Sequence, residues 1–345
     1  IVAAIIVLGG LIFFHELGHF AVARWLGMGV STFSLGFGPK LLKYRHGKTE
    51  YALSLVPLGG YVALVGENDE NDIPSGFTRE ECFSLRPAWQ RFLVIAAGPF
   101  ANILLACGGS PIMSDEPEDV EDITSICGGL NINIGTLNQR SIEGMFRAGA
   151  KANALGHVVL LDPVGAGASA LRTNTAVELM AKIKFTVIRG TISEIKTLAL
   201  GSGTTKGVDA DVADAVTDAN LDSAVKFVKD FAAKSGAIVA VTGAIDLVSD
   251  GTACYVIRNG RPEMGKITGT GCQLSGMMTA FVVANPDNKL EAAAAAVCAM
   301  GLAGEIGWSR MAEGDGNSTY RNRIIDAIYN MDGATLNGGA KYELR

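Results

Sequence analysis

The chain changes character at residues 101–113, Ala-Asn-Ile-Leu-Leu-Ala-Cys-Gly-Gly-Ser-Pro-Ile-Met, and the two sides follow different compositional rules. Before this stretch, residues 1–14 are apolar except for Gly9 and Gly10, and the apolar pattern continues to residue 26. A helix of about 20 mainly apolar residues is long enough to cross a bilayer. After it, short apolar runs alternate with helical ones to the end of the 345-residue chain. That length implies at least two domains. The expectation is a membrane-associated segment over residues 1–106 and a soluble α/β enzyme over residues 107–345.

The chain is 48% hydrophobic and 19% charged, with 43 glycines. This suits a packed α/β enzyme or a membrane protein and excludes a disordered chain. A net charge of −6 gives no basis for nucleic-acid binding. The six cysteines, at 82, 107, 127, 254, 272 and 298, form no CxxC pair, which fits a reducing compartment. Ile1 already lies inside the apolar run, with no Met or basic stretch before it, so it reads as a fragment start rather than a signal peptide.

His15 and His19 are four residues apart in the first apolar stretch. On a helix they share one face and can reach one zinc ion, with Glu16 beside them as general base for a zinc-bound water. Ionisable groups inside an apolar span are costly and mark function; the alternative is two incidental histidines in a core helix. Residues 30–66 are rich in glycine and alternate, as short β-hairpins do, with Lys40, Lys43, Arg45 and Lys48 at a turn. Residues 67–86 read as a polar loop. Residues 92–112 form a second apolar stretch, weakened as a span by Gly98 and Pro99.

HELGHF, FSLGFGP, PLGGYV and AAGPFAN, in this order, resemble the start of the site-2 protease family of intramembrane zinc metalloproteases. The resemblance covers residues 1–106. It implies Zn²⁺ held by His15 and His19, Glu16 as catalytic base, and attachment to the inner membrane through residues 1–26. That family takes its third zinc ligand from an Asp in a later membrane helix, and Leu161-Asp162-Pro163 echoes that motif only superficially. A catalytic zinc normally needs three protein ligands, so the resemblance leaves peptide cleavage incomplete.

Beyond residue 113 the acidic run 114–122 reads as the start of a helix ending near residue 127. Strands are predicted at 130–134, 158–161, 185–188, 238–241 and 253–257. Helices are predicted at 140–155, 176–182, 221–235, 272–283, 290–312 and 320–331. Short apolar strands between helices predict a parallel sheet covered on both faces, with ligands at the carboxyl ends of its strands. Those ends carry Asp162-Pro163-Val164-Gly165, Arg189-Gly190-Thr191, Thr242-Gly243 and Thr268-Gly269-Thr270-Gly271-Cys272. A glycine-rich turn entering a helix aims backbone N–H groups and the helix dipole at one spot, which suits a phosphate or a developing anion. One such turn is weak; the series is stronger. No GKS or GKT follows, so this is not a P-loop. His46 and His157 read as non-ligands.

The motifs GGSPIMSDE, NIGTLN, LLDPVGAGAS, VIRGTISEI, AVTGAIDLVSDG and ITGTGCQLSG resemble the hydroxyethylthiazole kinase family, ribokinase-like enzymes of thiamin salvage, over residues 101–345. The resemblance implies phosphorylation of 4-methyl-5-(2-hydroxyethyl)thiazole by ATP with Mg²⁺. Cys272 would take the proton of the substrate hydroxyl, its thiol pKa lowered at a helix N-terminus. Residues 269–271 would form an anion hole, with Gly269 also touching the substrate. Asp162 and Glu194 would hold Mg²⁺ directly or through water. Arg189, Thr242, Thr270 and Gly271 would contact ATP, and Met113 would line the thiazole pocket. Each has a plainer alternative: a strand-end turn for Asp162, a solvated helix face for Glu194, a surface salt bridge for Arg189, core packing for Met113 and Cys272. The family resemblance also implies a cytoplasmic trimer with sites between subunits, and a further N-terminal segment whose place is here taken by protease-like sequence. Three readings follow: a small-molecule kinase, a membrane zinc protease, and an inactive join of two fragments.

Overall fold

The computed structural model describes residues 16–66, 73–86, 102–114, 116–201, 205–206, 209–210 and 215–345. The chain divides into two compact units, Ile1–Leu105 and Ala106–Arg345.

In the first unit, residues 16–25 are helical. Two long antiparallel strands follow, β1 (Val30–His46) and β2 (Thr49–Leu64). Each doubles back, so Thr32 faces both Ala63 and Glu50 while Lys40 faces Ser54. Gly36 and Gly38 supply the bend with φ of 84° and 85°, a region that side chains other than hydrogen disfavour. Val22, Ala23, Met28, Val30 and Phe83 form a small core, and Phe20 meets Phe33 and Tyr51 edge-on beside it. The hairpins expected over residues 30–66 are therefore present. The basic residues are distributed differently: Lys40, Lys43 and Arg45 lie along β1, and only Lys48 sits at the turn.

The membrane expectations need correction where the structure reaches them. Residues 1–15, with His15, and residues 87–101 lie outside the described residues. Of the second apolar stretch, residues 102–106 are helical, then Gly108 turns the chain at φ 86° and residues 109–114 are neither helix nor strand. No continuous helix runs to residue 112. Among the described residues one helix, Lys289–Ser309, is long and apolar enough to span a bilayer, and 78% of its most apolar window is buried inside the protein. It is a core helix.

The second unit is organised on a seven-stranded sheet. Its elements, in chain order, are α1 (Val120–Ile126), β3 (Gly129–Asn133), α2 (Gln139–Leu155), β4 (Val158–Asp162), α3 (Ala170–Lys182), β5 (Val187–Gly190), α4 (Ile192–Leu200), β6 (Thr205–Lys206), β7 (Asp209–Ala210), α5 (Leu221–Ser235), β8 (Ile238–Val241), β9 (Asp246–Ser249), β10 (Cys254–Ile257), α6 (Thr270–Ala284), α7 (Lys289–Ser309), α8 (Asn317–Tyr329), α9 (Gly333–Gly339) and β11 (Tyr342–Leu344). The sheet order is β11-β10-β9-β8-β5-β4-β3, while β6 and β7 pair apart from it.

β3, β4, β5 and β8 are parallel, but β8–β9, β9–β10 and β10–β11 are antiparallel. The all-parallel sheet expected from sequence is thus a mixed one. The cause is connection length. A parallel return needs a crossover of about a dozen residues, whereas residues 242–245 and 250–253 are all that separate β8 from β9 and β9 from β10. Asp250 fixes the second turn, accepting hydrogen bonds from the N–H groups of Thr252 (2.8 Å) and Ala253 (2.9 Å).

The alternation of strand side chains separates two faces. Ile132, Val159, Leu161, Ile188, Val239 and Val241 join one core with Ala152 of α2, Leu179 of α3 and Val225 of α5. The alternate residues, Asn133, Asp162 and Arg189 among them, face the other way, where α6 packs on β3 and β4 and also against α7. Close approach there demands small residues. A Cβ on Gly129 would lie 2.6 Å from Val283, and one on Gly304 would strike the Met264 sulfur. Helix α4 was not predicted as a helix. Thr191 caps it, accepting from Glu194 N–H while Glu194 reaches back, a capping box that stops β5 and starts a helix within one residue.

Gly251 turns at φ 97°, and a Cβ there would lie 2.9 Å from the Ala233 backbone nitrogen. Gly251→Ala is expected to destabilise the second unit by about 1–3 kcal/mol, the usual cost of such strain, read as a lower urea midpoint; an unchanged midpoint contradicts this account of the hairpin.

Candidate active site

The carboxyl ends of β3, β4, β5 and β8 converge beside the N-terminus of α6. Register places Asn133 of β3 directly against Asp162 of β4. Asp162 is 1% exposed, and its Oδ2 accepts from Asn133 Nδ2 (2.9 Å) and Ser275 Oγ (2.8 Å). Its Oδ1 has no hydrogen-bond partner, and Arg189 Nη1 stands 3.8 Å away. Burial pushes this carboxyl above the ordinary range, against the pull of Arg189, Ser275, Cys272 and Asn133. Asp162 is thus more than a strand-end turn.

Arg189 is also buried, so its alternative as a surface salt bridge fails. Its Nη2 donates to Thr242 Oγ1. Its guanidinium lies against Gly271, where a Cβ would come within 2.7 Å of Nη1. Gly269 caps α6 at φ 90°, and Gln273 N–H makes the first helical bond to its carbonyl (2.9 Å). The N–H groups of Thr270, Gly271 and Cys272 therefore precede the helix ladder. An anion placed there meets those donors, the helix dipole and Arg189 together.

The structure reverses the lowered thiol pKa expected of Cys272 and removes the plainer alternative for Glu194. Cys272 sits beside Asp162, but burial, with the Asp162 carboxylate second, pushes its thiol up to about 12. The lowered thiol pKa expected at a helix N-terminus is reversed, and Cys272 is a thiol at neutral pH. Glu194 does not lie on a solvated helix face: it is 3% exposed. Its Oε1 accepts from Gly165 N–H (2.7 Å), and its Oε2 from the N–H (2.7 Å) and hydroxyl (2.9 Å) of Thr191. Burial, then the charge of Asp162, raises its pKa. Glu194 ties the turn after β4 to the start of α4.

The donor set can be tested for a hard cation, which takes oxygen ligands. The unpartnered Asp162 Oδ1 fits one. The Glu194 oxygens are engaged by three donors, which leaves a lone pair to hold a metal-bound water rather than a first-choice direct ligand. Met113 is 46% exposed in residues 109–114, which are neither helix nor strand. Zinc fares differently. Glu16 and His19 lie in the helical residues of the first unit, His15 lies outside the described residues, and among those described no group of three His, Cys, Asp or Glu side chains could hold a metal.

Sequence reading missed Asn133, Ser275, Arg172 and Asp246. Arg172, three residues past the turn after β4, donates to the carbonyls of Ile134 (3.1 Å), Val164 (2.8 Å) and Gly135 (2.9 Å), clamping two strand ends together. Asn133 and Ser275 carried a signal in their positions, the last residue of β3 next to Ile132 and three past Cys272 on α6; Asp246 carried one in its interruption of an apolar run.

Residues 94–333 match the profile of the Hydroxyethylthiazole kinase family. The hydroxyethylthiazole kinase of Clostridium acetobutylicum is 60% identical over 243 residues, 70% of this chain and 89% of that protein. That of Clostridium tetani is 42% identical over 241 residues, 70% of this chain and 86% of its own length. The solved structure of a hydroxyethylthiazole kinase protein from Pyrococcus horikoshii OT3 superposes with a TM-score of 0.63 at 30% identity, covering 71% of this chain and 88% of that one. Fold and site together define a small-molecule kinase of ribokinase-like α/β architecture. The chain belongs to the hydroxyethylthiazole kinase family.

Asp246 adds a dependence on pH. Burial pushes its carboxyl up to about 7, against the Gly243 N–H and Arg189. The folded state thus holds this proton more tightly than the unfolded chain, whose Asp titrates near ~4. Stability is full below that lower value and falls as pH rises to about 7. Asp246→Asn is expected to flatten this fall and to raise stability at pH 8 by roughly 2–4 kcal/mol, at about 1.4 kcal/mol per pKa unit. Urea unfolding at pH 4 and pH 8 checks it; parallel pH profiles for the two proteins refute it.

Proposed function

We propose that the second unit transfers the γ-phosphoryl group of ATP, with Mg²⁺, to the hydroxyl of 4-methyl-5-(2-hydroxyethyl)thiazole. The observation that carries this reading is the buried Asp162–Arg189 pair set against the glycine-rich N-terminus of α6. Phosphoryl transfer passes through a loose transition state whose charge lies on the equatorial oxygens, so catalysis is mainly positioning and charge stabilisation. The N–H groups of Thr270, Gly271 and Cys272 receive that charge, and Arg189, steadied by Thr242, faces it. A bound Mg²⁺ would neutralise the nucleotide phosphates, held through its waters by Asp162 and Glu194, which would leave Asp162 Oδ1 open.

Cys272 meets the substrate as a thiol. The neighbouring group able to take the hydroxyl proton is the Asp162 carboxylate, and Cys272 serves to seat the hydroxyl beside it. Gly269 borders the substrate from the α6 turn. Met113 is assigned to the thiazole pocket, and its exposure fits a pocket completed by a second subunit of a homotrimer. The family resemblance and the need for ATP support a cytoplasmic location for this unit. The motif order of residues 1–106 supports descent from an intramembrane metalloprotease; the family match begins at residue 94 and carries no peptide-cleaving activity with it.

The test is a coupled ADP assay on the full chain with ATP, Mg²⁺ and the thiazole alcohol. Asp162→Asn is expected to lower kcat by about 100-fold or more, as loss of an acid–base group does. Cys272→Ala is expected to lose about tenfold, since it removes positioning rather than the proton acceptor. Full activity in Asp162→Asn overturns the assignment.

A further inference from the structure

The turn that presents Thr242 to Arg189 is built by an acid that the transfer chemistry does not use. Asp246 opens β9 and is 9% exposed, with its Oδ1 accepting from Gly243 N–H (2.8 Å). Thr242 is held from the other end, its N–H donating to the Gly190 carbonyl (3.0 Å). The Thr242 hydroxyl then accepts from Arg189 Nη2, and Arg189 lies against Gly271. A continuous chain of contacts therefore runs from Asp246 through residues 242–243 and Arg189 to the anion turn of α6. Against its burial, the Arg189 charge pulls the Asp246 carboxyl down, and burial, then the Asp246 charge, pushes the Cys298 thiol of α7 up to about 11.

The same carboxyl weakens the fold as pH approaches neutrality. A buried ionisable group that costs stability beside a reaction site marks function. What the group orders is the turn of residues 242–243, through the one acceptor oxygen that the Gly243 N–H reaches.

We propose that Asp246 is a positioning residue for the nucleotide phosphates, acting through the Thr242–Gly243 turn on the Arg189 guanidinium. The inference rests on the kinase reading for its ligand, MgATP, but not on the identity of the phosphate acceptor. Removing the acceptor oxygen frees the turn, loosens Thr242 and lets Arg189 leave the position it holds against Gly271. The chain of contacts reaches the α6 turn only through Arg189, the residue assigned to the nucleotide phosphates.

The experiment measures MgATP binding to the full chain by titration calorimetry, with KM and kcat beside it, for Asp246→Ala, Asp246→Asn, Thr242→Val and the Ala/Val double variant. Asp246→Ala is expected to raise the MgATP Kd and the ATP KM by about tenfold, or ~1.4 kcal/mol. The KM for the thiazole alcohol stays within about twofold, as for independent sites. Asp246→Asn, which retains the acceptor oxygen, is expected within about threefold of the parent. The double variant binds no more weakly than Thr242→Val alone, because both changes break one chain. Additive losses, an Asn variant as impaired as the Ala variant, or an unchanged Kd in Asp246→Ala overturn the proposal. If Asp246→Ala does not fold, the Asn and Thr242→Val measurements decide. A parent chain that binds MgATP in this pattern yet phosphorylates no thiazole alcohol defeats the substrate assignment and leaves this inference standing; a parent that binds no MgATP overturns it.

Discussion

A carboxyl group is expensive to bury unless its oxygens are satisfied and its charge is met, and Asp162 is enclosed at the end of β4 with one oxygen satisfied and one open. The surrounding structure is arranged to make that tolerable. Parallel register brings Asn133 alongside it, and α6 must approach closely enough for Ser275 to donate. That approach requires Gly129 on the sheet, where any Cβ would strike Val283. Arg189 supplies the opposite charge from β5 and in turn requires Gly271 to lack a side chain. The glycines of the anion turn and the glycine at the sheet edge thus answer to the same buried carboxyl from opposite ends of one helix.

Closure of the sheet serves the same end. Two short returns turn β9 and β10 antiparallel, which sets Thr242 and Asp246 on one tight turn next to β5. A helical crossover after β8 would have carried residues 242–246 away over the sheet. The antiparallel half of the sheet is therefore part of how Arg189 is held.

Much of this was legible in the sequence. Strand β8 and helix α5 fall where apolar run and helical periodicity place them, because both elements are bounded by unambiguous turns at Gly236 and after Val241. The residues at the strand ends, Asp162, Arg189, Thr242 and the α6 turn, do meet in one place, since alternation and parallel order leave few other arrangements. What escaped detection depended on distance in space. Strand β9 is separated from β8 by only four residues, and β11 is a three-residue exposed strand whose identity comes from pairing with β10 nearly ninety residues earlier, a separation that local pattern cannot report. A solvated face remained an alternative for Glu194 because the Gly165 N–H that it accepts from comes from another strand end, out of reach of local pattern.

Cys272 shows why the direction of a pKa shift cannot be taken from secondary structure alone. A helix N-terminus favours an anion by about 0.3–1 kcal/mol at an exposed position. At Cys272 that benefit competes with two opposing effects, desolvation and the Asp162 carboxylate, and the thiol is pushed up to about 12 instead of down. The dipole is still available, but the thiol does not claim it. The N–H groups of the α6 turn remain directed at whatever anion enters, and a protonated Cys272 leaves them uncompeted. A thiolate at the same place would repel a phosphoryl group at the moment the turn is needed to receive it, so the burial that keeps Cys272 neutral is what lets the anion site work.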